Sequence, residues 1–238
     1  MELRGKTALV TGGAKRIGRC IALALGAEGM RVAVHHRSSP EEAAATAREI
    51  GDALPFQADL TDAADIERLV GEVTSSLGDL RVLINSASIF EPSPWPLTDE
   101  AWERNVAIHM TAPMRLIRAA APGLQRERGV VVNIIDAVWS RPSWPRHTAY
   151  CVSKAGLAAL TQSLARALAP EIRVVGVAPG AVLPPDDYSG SQRDAAVRRV
   201  PLVRWGTPDD VAQAVVALAR SDYITGQILA VDGGQSIC

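Results

Sequence analysis

Thr11-Gly12-Gly13-Ala14-Lys15-Arg16-Ile17-Gly18 follows directly on a short apolar run at residues 7–10 and leads into an Ala-rich helical pattern near 16–28. Glycines permit a tight turn and a close backbone approach, and the start of the helix offers unpaired N–H groups and a positive dipole end to a pyrophosphate. Taken alone the motif is weak, since any strand-to-helix turn favours glycine. Its place after the first strand of a repeating pattern argues for the phosphate site.

Outward from this turn, β-branched apolar runs alternate with longer helical patterns. Strands are expected at 7–10, 31–35, 54–57, 82–85, 130–134, 173–177 and 228–231, and helices near 16–28, 41–50, 62–76, 99–124, 148–169 and 208–219. This alternation predicts a single α/β domain over residues 1–238, a doubly wound, Rossmann-type parallel sheet of about seven strands with helices on both faces. Right-handed crossovers collect the loops after the strands on one edge, where ligands of such sheets bind. Two stretches, 90–97 with three prolines and 181–203 with Pro184, Pro185 and Gly190, resist regular structure. The second is expected to be a substrate lid.

The 238 residues are 47% hydrophobic and carry a formal net charge of -1, enough for one large core and without the excess positive charge of a nucleic-acid or acidic-membrane binder. Small molecules and copies of the chain are the expected partners. Of the 25 basic residues only Lys6, Lys15 and Lys154 are lysines. Cys20, Cys151 and Cys238 suit reduced thiols better than a disulfide framework and have no metal-ligand spacing. No room for a signal peptide precedes the first strand, and no apolar run approaches a membrane span of ~20 residues, so a cytoplasmic location is expected.

Where a nicotinamide fold that prefers NAD carries an acid at the end of the second strand, this chain reads His35-His36-Arg37-Ser38. Arg37 with Ser38 and His36 can hold a 2′-phosphate through charge-assisted bonds, which selects NADPH. Asp59, ahead of Leu60, can accept from an adenine amino group or cap the helix beginning near Thr61; both readings stand.

Tyr150 and Lys154 lie four residues apart on a predicted helix and so share a face. A tyrosine near its free pKa of ~10 is a poor acid at neutral pH, and an adjacent ammonium is expected to lower it.

With both motifs in register the chain resembles the short-chain dehydrogenase/reductase family along nearly its whole length. Further matching stretches are Asn85-Ser86-Ala87, Pro179-Gly180, Tyr223-Ile224-Thr225-Gly226 and Val231-Asp232-Gly233-Gly234. The resemblance implies cofactor contacts from Gly12, Arg16, Ile17, Gly18, His36, Arg37, Ser38, Asp59, Leu60, Asn85, Ala87, Tyr150, Lys154, Pro179 and Gly180, and a homotetramer formed through two long helices. Three positions depart from the common pattern: Arg16 replaces a glycine, Asp136 the catalytic serine, and His109 the helix asparagine. An ionised Asp136 would repel an alkoxide, whereas a carboxyl suits a heterocycle rich in N–H donors, or protonated can deliver a proton to a ring nitrogen.

Arg16, Asp136, Tyr150 and Lys154, with Asn85-Ser86-Ala87-Ser88-Ile89-Phe90, resemble the pteridine reductases of this family, with His109 as in bacterial dihydromonapterin reductases. That resemblance implies a pterin or folate-like substrate held by Arg16, Ser88, Phe90, Asp136 and Tyr150, with Asp136, Tyr150 and Lys154 catalytic. The plain alternative for His109 is a helix histidine bonded to a backbone carbonyl. The interval from Asp136 to Tyr150 is one residue longer than in the subgroup, the extra residue lying around Ser143–Arg146. Two readings compete: an NADPH-dependent carbonyl reductase of the 3-ketoacyl-carrier-protein or sugar type, and a non-catalytic NADPH-binding protein.

Overall fold

A computed structural model describes residues 2–184, 189–198 and 200–238. Seven parallel strands form one sheet: β1 (Thr7–Val10), β2 (Arg31–His36), β3 (Ala53–Gln57), β4 (Leu80–Asn85), β5 (Val130–Ile134), β6 (Arg173–Pro179) and β7 (Ile228–Val231), in the order β3-β2-β1-β4-β5-β6-β7. The interior strand β5, Val-Val-Val-Asn-Ile, is buried at every residue, as a strand covered on both faces must be. The edge strands β3 and β7 leave residues exposed in mid-strand.

Helices α1 (Arg16–Ala27), α2 (Pro40–Ile50) and α8 (Pro208–Arg220) cover one face, their Ile21, Leu25, Ala43, Val215 and Leu218 meeting Val10, Val34 and Val132 of the sheet. On the other, α3 (Ala63–Leu77) and α5 (Ala112–Arg126) bring Leu69, Val73, Leu116 and Leu124 against Leu9, Leu83 and Val131, and α6 (Thr148–Ala167) packs beside them. Thr207 caps α8 in a reciprocal capping box with Asp210, ahead of Pro208 in the first turn. The order reverses between β1 and β4, so a crevice opens beyond the carboxyl ends of these strands.

Two expectations need correction. The helix expected at 99–124 is α4 (Asp99–Val106), a π-helical turn at Ala107–Thr111 and then α5. Pro113 at the start of α5 brings no N–H to the carbonyl of His109, and the wide turn absorbs the missing bond. Within the stretch 181–203, eight residues form α7 (Gly190–Val197), capped reciprocally by Ser189 and Gln192. None of its residues is buried, and Arg193 and Arg198 are exposed; Arg199 and the 185–188 part of the expected lid lie outside the described residues. No helix among the described residues is long and apolar enough to cross a membrane.

Candidate active site

The glycine turn is built to close tolerance. Gly12 has φ +64°, and a Cβ there would stand 3.1 Å from Ala87 Cα; a Cβ on Gly18 would stand 2.2 Å from the Gly12 carbonyl oxygen. Neither glycine admits a side chain without moving backbone. Thr11 ties the turn to the end of β4: its hydroxyl donates to the Ile84 carbonyl at 3.1 Å and accepts from the N–H groups of Ser86 at 2.9 Å and Ala87 at 3.1 Å. His35 ties it to β3, with Nδ1 accepting from Gly12 N–H at 3.0 Å and Nε2 bonded to the Ala58 carbonyl at 3.1 Å. Burial lowers the pKa of His35 to about 4, so the ring stays neutral and Nδ1 keeps the lone pair the turn needs. Neither Thr11 nor His35 was singled out from the sequence, although a histidine inside a buried strand was a signal for it.

Beyond the turn, α1 begins with no side-chain cap and no acid in its first turn, leaving N–H groups for an anion. Arg16 stands there, exposed, at φ 52°, a left-handed backbone that costs a non-glycine residue about 1 kcal/mol. Its neighbour Lys15 is paired with Glu42 at 2.7 Å. Ile17 is half-buried behind them. At the end of β2, Arg37 and Ser38 are exposed and His36 is buried, its Nδ1 accepting from Ser39 N–H at 3.4 Å. No carboxylate occupies β2's end, so glycine cradle, open helix start and cationic rim fit the pyrophosphate and 2′-phosphate of NADPH.

The remaining residues expected beside a cofactor line the same edge. Asp59 accepts from the N–H and hydroxyl of Thr61, but α3 is capped by Asp62, which accepts from Ala64 N at 2.7 Å, so Asp59 is not that helix's cap. Leu60 is buried, and Asn85 donates to Asn133 Oδ1 at 2.7 Å. Pro179 ends β6; a Cβ on Gly180 would lie 2.5 Å from that of Asp232, so the matching stretches after β6 and β7 pack directly together.

Past the end of β5, Asp136 meets the first turns of α6. The Tyr150 hydroxyl donates to Asp136 Oδ2 at 2.8 Å, and Lys154 Nζ donates to the Ile134 carbonyl at 2.8 Å, 5.7 Å from the centre of the Tyr150 ring. Burial and then the Asp136 charge raise the Tyr150 pKa well above its usual value, contrary to the expectation that Lys154 would lower it. Burial also raises the Asp136 pKa and lowers that of Lys154 to about 8. The lysine's positive end is spent on the Ile134 carbonyl, and the phenol answers to the carboxyl it touches.

Aromatic rings gather at Tyr150. Phe90, half exposed, lies parallel to His147 at 4.3 Å, edge-on to Tyr150 at 4.9 Å and edge-on to Trp144 at 5.3 Å. The loop carrying the expected extra residue therefore supplies two walls, Trp144 and His147, that the sequence did not single out. A bridge between Ser93 and His147, with Ser93 Oγ accepting from Ala149 N at 3.0 Å, ties this loop to the Pro-rich 90–97 stretch. Ser88 is exposed on the same rim, and its hydroxyl meets His109 Nε2 at 2.8 Å. His109 is buried, but its partners are hydroxyls and a backbone N–H in place of the anticipated carbonyl. Asp136, Tyr150, Lys154, Ser88 and Phe90 thus converge, and Arg16 stands at the start of α1, beyond the glycine turn that abuts Ala87.

Comparison with known proteins follows the same lines. The family described as Enoyl-(Acyl carrier protein) reductase matches residues 12–236. A putative ketoacyl reductase 2 of granaticin polyketide synthase from Streptomyces violaceoruber is 38% identical, over 95% of this chain and 94% of that protein. The 3-oxoacyl-[acyl-carrier-protein] reductase FabG of Staphylococcus aureus is 35% identical, over 96% of this chain and 97% of its own. Among solved structures, FolM alternative dihydrofolate reductase 1 from Brucella suis in complex with NADP superposes with a TM-score of 0.92 at 36% identity, covering 100% of this chain and 97% of that one. A blue fluorescent protein from a metagenomic library in complex with NADPH gives 0.92 at 34%, covering 99% and 100%.

Proposed function

Since the chain belongs to the short-chain dehydrogenase/reductase family, we propose that it is an NADPH-dependent reductase of a pterin or folate-like ring. What such a cofactor supplies when bound is a hydride from its nicotinamide. Gly12, Ile17 and Gly18 would seat its pyrophosphate, with His36, Arg37 and Ser38 at the 2′-phosphate. Asp59 and Leu60 would flank the adenine, and Asn85, Ala87, Pro179, Gly180 and Lys154 would line the ribose and nicotinamide.

The observation that carries the substrate reading is the 2.8 Å bond from Tyr150 to a half-buried carboxyl, where ketone reducers of the family have a serine. As hydride reaches a ring carbon, Tyr150 gives its hydroxyl proton to the adjacent nitrogen. Asp136, the acceptor of the phenol's hydrogen bond at rest and a carboxyl whose pKa burial raises, passes a proton to the phenol oxygen once it has itself been protonated. The C=N bond becomes CH–NH, and the carboxylate left behind is reprotonated from solvent. Ser88 and Phe90 supply a hydroxyl and a ring face to a flat heterocycle.

FolM in the comparison is by name a dihydrofolate reductase, which supports this reading; the ketoacyl reductases among the relatives favour the second one, a carbonyl reductase. The test is NADPH oxidation followed by absorbance with dihydrobiopterin and with an acetoacetyl thioester, for the wild type and Asp136→Ser. We expect dihydrobiopterin to be the better substrate and its reduction to collapse in the variant. A wild type that reduces the thioester well and ignores the pterin assigns the second reading. The proposal extends to a cytoplasmic homotetramer, for which exposed Trp102, Met114 and Val152 on α4, α5 and α6 offer an apolar surface.

A further inference from the structure

His109 has no part in the chemistry described above, yet it is buried, with only 1% of its surface exposed, between two elements of the site. It projects from the π-helical turn Ala107–Thr111. On one side its Nε2 accepts from Ile89 N–H at 3.3 Å and meets the Ser88 hydroxyl at 2.8 Å; on the other its Nδ1 meets the Ser153 hydroxyl at 2.9 Å.

The directions of these bonds follow from one fixed donor. A backbone N–H can only donate, so Nε2 is the acceptor and Nδ1 carries the hydrogen. Nδ1 then donates to Ser153, whose own hydroxyl donates to the Tyr150 carbonyl at 2.8 Å. A continuous chain of bonds thus runs from the loop of Ser88 and Phe90 to the backbone of Tyr150. The ring also meets that of Tyr150 edge-on at 5.4 Å.

We propose that His109 is a positioning residue that fixes the distance between the Ser88–Phe90 loop and α6, and so sets the width of the slot in which substrate lies against Tyr150. The assignment rests on the reading of this crevice as the substrate site, whichever substrate it takes. A proton relay through the ring is a poor alternative: the lone pair on Nε2 is already engaged, and burial with the Lys154 charge lowers its pKa to about 2.

Three variants test this. His109→Leu removes both ends of the strut, His109→Gln keeps an acceptor and a donor on a side chain of similar reach, and His109→Asn keeps both groups on a shorter one. KM and kcat are measured with dihydrobiopterin, and with an acetoacetyl thioester if the wild type turns over only that. NADPH affinity is read from quenching of protein fluorescence, and amide exchange of residues 86–92 by hydrogen–deuterium exchange. We expect His109→Leu to raise the substrate KM about tenfold, to speed exchange at Ile89 and to leave NADPH affinity within about twofold, with the shape of the kcat pH profile unchanged. His109→Gln should restore most of the KM, and His109→Asn should fall between the two. Equal loss in the Gln and Leu variants, a parallel loss of NADPH affinity, a changed pH profile, or an unaltered KM and exchange rate would each overturn the assignment. Because either substrate and the exchange measurement serve, failure of the pterin reading leaves this test standing.

Discussion

The two ends of the crevice are built by opposite means. At the cofactor end the ligand seat is backbone: Gly12 and Gly18 lie too close to main-chain atoms for a Cβ, and Thr11 and His35 hold the turn through main-chain N–H groups. At the end proposed for the substrate the walls are side chain: Phe90, Trp144, His147 and Tyr150 meet ring against ring on two loops and a helix start. A backbone seat binds what the whole family binds, whereas a side-chain seat can change its ligand by point substitution without disturbing the sheet.

Substitutions that strike one end and spare the other sharpen this contrast. Tyr150→Phe should have the largest effect, lowering kcat by about 10²- to 10⁴-fold while NADPH affinity measured by fluorescence stays near wild type. Near-wild-type turnover would take the phenol out of the chemistry. Arg37→Asp should act only at the cofactor end, erasing or reversing a preference for NADPH over NADH in kcat/KM, on the order of 2 kcal/mol or thirtyfold for a lost charge-assisted pair. Equal use of both cofactors by the wild type would refute the assignment of the β2 rim. Phe90→Ala should act only at the other, raising the pterin KM by on the order of 1–3 kcal/mol if its contribution resembles base–aromatic stacking. A matching rise in the KM for NADPH would mean that the two ends are not separable.

A last effect concerns stability rather than turnover, and here the ends behave alike. Each relies on a buried neutral histidine, His35 with a pKa near 4 and His109 near 2, against ~6.5 in the unfolded chain. The unfolded state therefore binds protons the folded state refuses, so the stabilisation is complete above pH ~6.5 and is lost as pH falls below it. The loss is about 2 kcal/mol per histidine by pH 5. Urea unfolding at pH 7.5 and 5 should show it, and His35→Asn and His109→Gln should each flatten the difference by its share. An unchanged pH dependence in both variants would locate the sensitivity elsewhere.

The strands were legible because β5 and its neighbours are buried on both faces and so carry unbroken β-branched runs. The glycine turn was legible because main-chain crowding leaves glycine no substitute. Less visible was the break at Ala107–Thr111, since one extra residue in a helix barely disturbs an apolar period of 3.6. Helix α7 buries nothing and so has no apolar face to find; only the Ser189-to-Gln192 spacing announced it. Trp144 and His147 sit in a Pro-rich loop without periodicity, and their meeting with Phe90 is a long-range packing event. For the same reason the Tyr150 pKa was misjudged: helical spacing revealed Lys154, but the carboxyl that governs the phenol comes from the loop that follows β5.

The single oxygen of Thr11 has every valence for hydrogen bonding in use, one toward Ile84 and two toward Ser86 and Ala87, so the glycine turn and the chain that runs on to Ser88 move as one body. A ligand that presses on one therefore reports to the other. Whatever factor the first occupant contributes to the affinity of the second, the second returns to the first, because the two paths around the binding square must close on the same total.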